Sequence, residues 1–132
     1  MKKRGLLAAL LAAGCISAGA LGSDTPLARL LDQKPGVQAF HWEGKLSRLY
    51  GAPISTGADP EASAWNLLEK HAGIFGADLG DLVQMATADG LAYQPVMYNR
   101  DTGDYKCFAV YFSQVRDGVS VFDSNLTLVV RN

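Results

Sequence analysis

Few side chains in this sequence stand where chemistry would need them. A hydrolytic zinc site takes three protein ligands converging on one metal, with a carboxylate base beside it. The sequence has two histidines, His41 and His71, in different predicted elements and without a His-Glu-x-x-His spacing. His71 falls on the apolar side of a predicted helix and reads as a partly buried, hydrogen-bonded histidine. His41, beside Trp42, reads as lining a strand. A serine nucleophile elbow needs Gly-x-Ser-x-Gly, and Gly118-Val119-Ser120-Val121-Phe122 lacks the final glycine. The glycines from Gly76 to Gly80 are not followed by the Lys-Ser/Thr of a phosphate loop. Asp78, Asp81, Asp101 and Asp104 lack calcium-loop spacing and read as solvated turn carboxylates. Asn125-Leu126-Thr127 fits the glycosylation pattern but lies in a predicted strand. The expectation is a non-enzyme with no catalytic residue, no metal and no cofactor.

The chemistry the sequence does call for is processing at its start. Lys2, Lys3 and Arg4 precede an apolar run from Leu6 to Ala13, and small residues follow through Ala20. That is the order of a secretory signal peptide. The run is short of the roughly 20 apolar residues a spanning helix takes. Ala18-Gly19-Ala20 offers small side chains at Ala18 and Ala20, where a signal peptidase reads them. Cleavage after Ala20 predicts a secreted or periplasmic chain. The alternative is Ala12-Ala13-Gly14-Cys15, similar to a lipoprotein box, in which Cys15 carries a lipid and anchors the chain to a membrane. On either route Cys107 is left without a partner cysteine, so no disulfide framework forms, and it reads as a small buried hydrophobe.

The rest of the chain must then fold on its core alone. Its 48% hydrophobic and 19% charged content is that of a globular domain, not of a disordered tail. No basic cluster follows Arg4, so nucleic acid has no electrostatic footprint to bind. Residues 21–58 read as a lead-in with at most one helical turn, an extended segment broken near Gly44, and a Gly/Pro/Ser loop. Residues 59–132 read as the main domain. Asp59 caps and Pro60 opens a helix running to Phe75, with Ala64, Leu67, Leu68, His71, Ile74 and Phe75 on one stripe. Asp78 to Met85 reads as a shorter helical or turn segment, and Leu91 to Tyr98 as an edge strand because of Pro95.

Tyr105 to Arg116 and Val119 to Arg131 are rich in aromatic and β-branched residues, and Asp117-Gly118 between them is a strong two-residue hairpin signal. That turn sets Tyr105, Cys107 and Ala109 opposite Val130, Leu128 and Leu126, a face predicted to cover the helix. The other face sets Phe108, Val110 and Phe112 against Thr127, Asn125 and Asp123, and a bulge near Asp123-Ser124 would improve that match. The fold class expected is α+β: one main helix on a small antiparallel sheet with a C-terminal hairpin.

Two blocks carry a resemblance. Ala62, Ala64, Leu67-Leu68 and Ile74-Phe75-Gly76 form the first. Gln114, Gly118, Val119 and Val121-Phe122, continued by Leu126 to Val130, form the second. Together they resemble the fungalysin/thermolysin propeptide domain, although Ser120 stands where that family usually has Pro and Asp123 where Gly is common. The resemblance implies a non-catalytic segment of a secreted metallopeptidase precursor, one that assists folding of the peptidase and keeps it inactive. It implies a metallopeptidase domain in cis as the partner, and a chain truncated at its C-terminus. A rival reading is a free-standing exported or lipid-anchored binding module.

Overall fold

The computed structural model describes residues 24–131. Cys15, Ala18 and Ala20 therefore lie outside the described residues. The chain opens with a helix, α1 (Pro26–Gln33), capped by Thr25, whose Oγ1 accepts from the Ala28 amide at 3.2 Å. Sequence patterning allowed one turn here. The cap, and burial of Leu30 beside the end of the main helix, hold two. A two-stranded antiparallel ribbon follows, β1 (Gln38–Trp42) and β2 (Lys45–Tyr50), turning at Glu43-Gly44.

The main helix, α2 (Pro60–His71), continues through a 3-10 turn at Ala72–Phe75. Asp59 Oδ1 accepts from the Ala62 amide at 2.7 Å, and Glu61 lies at the positive end of the dipole. The preceding loop is strapped along the helix. The Ser55 hydroxyl donates to the Ser63 carbonyl at 2.6 Å, and the Asn66 amide donates to the Thr56 carbonyl at 2.9 Å. Gly57 makes that approach possible, since a Cβ there would stand 2.4 Å from the Ser63 nitrogen.

The sheet is organised about one long strand, β5 (Asp104–Arg116), which pairs antiparallel with every other strand in it. One edge of β5 takes β4 (Gln94–Asn99) and β3 (Leu82–Met85) end to end. The other takes β6 (Val119–Ser120) and β7 (Leu126–Arg131). Pro95 sits in β4, whose far side is a free edge where a missing amide breaks no ladder. The segment expected to be helical or turn before Met85 is a 3-10 turn at Leu79–Asp81 followed by β3. Four residues carry too little periodicity to declare a strand. Pairing with β5, far along the chain, decides it.

The hairpin register corrects the sequence reading. Beside the turn, Arg116 pairs with Val119 and Val115 with Ser120, the register that Asp117-Gly118 dictates. Beyond an irregular stretch at Val121–Asn125 the register has moved by three residues, so that Leu128, not Asn125, lies opposite Val110, and Leu126 lies opposite Phe112. An odd shift exchanges faces. Phe108, Val110 and Phe112 with Leu126, Leu128 and Val130 therefore meet the helix, and Tyr105, Cys107 and Ala109 face away.

The core follows from that exchange. Ala64, Leu67, Leu68 and Ala72 of the helix close over Leu82, Val110, Phe112 and Leu128 of the sheet. Trp65 meets Phe112 edge to face at 5.0 Å. Its indole N–H donates to Gln84 Oε1 at 2.8 Å, and the Gln84 amide donates to the Ala92 carbonyl at 3.0 Å. The architecture is α+β, one main helix packed against antiparallel sheet.

Candidate functional site

The side chains considered for catalysis are dispersed. His41 is exposed on β1, and His71 is half-buried at the end of α2. Burial, then Lys70 and Lys34 nearby, hold the His71 imidazole below its ordinary range. Cys107 is a free, partly buried thiol on β5. Among the described residues no three His, Cys, Asp or Glu side chains come together at a metal-binding spacing. The sequence placed His71 on the apolar stripe, and it lies at the end of that stripe beside Lys34, a neighbour that sequence distance hides.

The most organised surface feature is the end of the hairpin. Asp117 and Gly118 have φ of 51° and 78°, the pair of positive values a type I′ turn requires. After β6 the chain leaves the ladder, and Asp123 again takes a positive φ of 53°. Ser124 secures this excursion. Its hydroxyl donates to the Val121 carbonyl at 2.8 Å and accepts from the Gln114 amide at 3.1 Å, while the Val121 amide donates to the Gln114 carbonyl at 2.9 Å. Arg116 joins Asp81 at 3.4 Å and ties the hairpin to the turn before β3. Val119 is 68% exposed and Phe122 97% exposed, with Val121 beside them.

The sheet face away from α2 is the second feature. Val83, Met85, Tyr98 and Val129 are all exposed on it. A shallow groove of about 470 Å³ lies between Met85, Leu91, Gln94, Tyr111 and Thr127, and the Tyr111 hydroxyl donates to Gln94 Oε1 at 2.8 Å. Asp89 is the one ionisable carboxylate on its wall. Sequence reasoning assigned this face to the helix and so did not find it. The irregular stretch that moves it outward carries no turn signal as plain as Asp-Gly.

No family model, curated protein or solved structure matches this chain. Both features present apolar side chains on fixed backbone, and neither aligns a nucleophile with a base. Such surfaces bind.

Proposed function

We propose that this chain is a non-catalytic propeptide-like domain of an exported zinc metallopeptidase precursor, and that it inhibits the peptidase, assists its folding, or both. The observation that carries the reading is the display of Val119, Val121 and Phe122 on a braced hairpin. A monomer gains nothing from a phenylalanine in water, and an apolar cluster on rigid backbone is suited to a partner. The same residues carry the resemblance to the fungalysin/thermolysin propeptide family. The expected partner is the metallopeptidase domain in cis, and the expected location is outside the cytoplasm, after removal of the first 20 residues or with a lipid on Cys15. Among the described residues no helix is long and apolar enough to cross a membrane.

The test begins with the reading frame beyond Asn132, which should encode His-Glu-x-x-His. The precursor is then expressed with wild-type and Phe122→Ser hairpins, and the yield of mature peptidase is measured. Phe122→Ser should lower that yield while leaving thermal melting of the domain unchanged, because the ring touches little in the fold. Equal yields would reject the partner-binding role of the hairpin. A frame without a peptidase would favour the free-standing binding module.

A further inference from the structure

The β1–β2 ribbon is a sheet of its own, hydrogen-bonded to no other strand among the described residues. Its pairs are Gln38 with Tyr50, Phe40 with Arg48, and Trp42 with Lys45. Between the second and third of these the register jumps, since His41 pairs with Leu46 and Ser47 has no opposite number. In an unbroken strand Lys45 and Arg48, three residues apart, would point to opposite faces. The extra residue at Ser47 brings both cations to one face. Phe40, Trp42 and Tyr50 stand on that same face, at 44%, 63% and 51% exposure. Ala39, Leu46 and Leu49 on the other face are half-buried. The outer face is therefore three rows, two of which pair an aromatic ring with a cation. Neither Lys45 nor Arg48 belongs to an ion pair among the described residues. Glu43 lies in the turn and not on these rows.

From this arrangement we infer that the ribbon binds the headgroup layer of an anionic phospholipid bilayer. Tryptophan and tyrosine favour that layer because their rings are apolar and their N–H and O–H groups stay hydrated. Cations held at an anionic surface contribute about 1 kcal/mol each. Charge also selects the orientation. Without Lys2, Lys3 and Arg4 the chain is acidic overall, so the surface repels the body and accepts the ribbon. Rings standing out in water on three rows suit a layer that can surround them better than a small solute, which needs a concave site. The inference goes beyond the propeptide reading and does not depend on it.

The chain, purified after export, is sedimented with vesicles of phosphatidylcholine alone and of equimolar phosphatidylcholine and phosphatidylglycerol. Mass spectrometry first establishes whether Cys15 carries a lipid, and Cys15→Ser serves if it does. Binding is expected only to the anionic vesicles, with a blue shift of tryptophan emission and loss of binding as salt is raised. The double variant K45E/R48E should bind at least about tenfold more weakly, from the loss of two cations and the gain of two anions. F40S/Y50S, which leaves Trp42 as the reporter, should weaken sedimentation with the anionic vesicles. All four side chains are exposed, so both variants should melt with wild type, which separates a lost surface from a lost fold. Binding to phosphatidylcholine alone, no binding at all, or binding untouched by K45E/R48E overturns the proposal. So does equal binding to soluble polyglutamate, which would assign the face to an acidic polypeptide.

Discussion

Gly118→Val isolates the backbone contribution of the hairpin turn. A Cβ at Gly118 meets no atom within 4 Å, so the substitution creates no clash with the rest of the fold. Its whole effect is conformational. A β-branched residue held at φ 78° costs on the order of 1–3 kcal/mol. The turn could escape that strain by opening, and the bonds it would surrender set the limit. These are the short β5–β6 pairing, the Val121–Gln114 contact and the two Ser124 contacts. At about 0.5–1.5 kcal/mol net for each hydrogen bond, opening is at least as costly as the strain. The turn should therefore stay closed and the strain should appear as lost stability. For a domain of this size each kcal/mol lowers the melting temperature by about 4–8 °C, which places Gly118→Val roughly 4–24 °C below wild type. Gly118→Ala should fall between the two, and Asp117→Gly, which relieves the other positive φ, should melt near wild type. Thermal melting by circular dichroism reads all three. A Gly118→Val protein that melts with wild type would refute the argument, because the turn would then be too loosely held to fix the backbone that displays Phe122.

Three further outcomes are expected. Phe112→Ala removes a fully buried ring wedged against Trp65 and should cost about 3–5 kcal/mol in chemical denaturation, enough to leave a domain of ordinary stability barely folded. Gly57→Ala drives a methyl into the Ser63 backbone and should cost about 1–3 kcal/mol, with protection of the helix N-terminal amides falling in hydrogen exchange. His71 has a folded pKa below its ordinary 6.5, so the unfolded chain takes the proton first. Its contribution is fully present above about pH 6.5 and is lost as pH falls from there toward the lower folded value. Melting of wild type should decline over that window more steeply than melting of His71→Gln, and parallel curves would contradict this.

What the sequence made legible was local. Asp59 and Pro60 announced the start of α2 by cap chemistry, and the spacing of Ala64, Leu67 and Leu68 announced its buried side. Asp117-Gly118 announced the turn, and Pro95 an edge strand. What failed depended on partners remote in sequence. Leu82–Met85 is a strand because Gln114 to Tyr111 lie alongside it. The turn dictates only the first two pairs of the hairpin. After them the return strand shifts and changes faces at Asp123-Ser124, the place where a bulge was expected, and two Ser124 hydrogen bonds hold the excursion. The size of the shift was not legible in the sequence. The Ser47 bulge, which sets Lys45 and Arg48 on one side, was equally silent, because a serine between a leucine and an arginine marks nothing in one dimension.

The face error has a physical meaning of its own. A strand with one side in water alternates apolar and polar residues, whereas one covered on both sides reads as a near-continuous apolar run. From Tyr105 to Val115, β5 alternates poorly. Tyr105, Cys107, Ala109, Tyr111 and Val115 are apolar or aromatic on one side, and Phe108, Val110 and Phe112 are so on the other. Either side could have been predicted to bury, because both carry the composition of burial. Among the described residues the main helix, α2, covers the side of Val110 and Phe112. The other side keeps Met85, Tyr98 and Val129 in solvent beside the groove at Tyr111. A domain selected to work alone would gain solubility by replacing these with polar residues, at little cost to a core they do not join. On the proposed reading, the partner domain would supply the second layer over these side chains and over Phe122 on its braced hairpin.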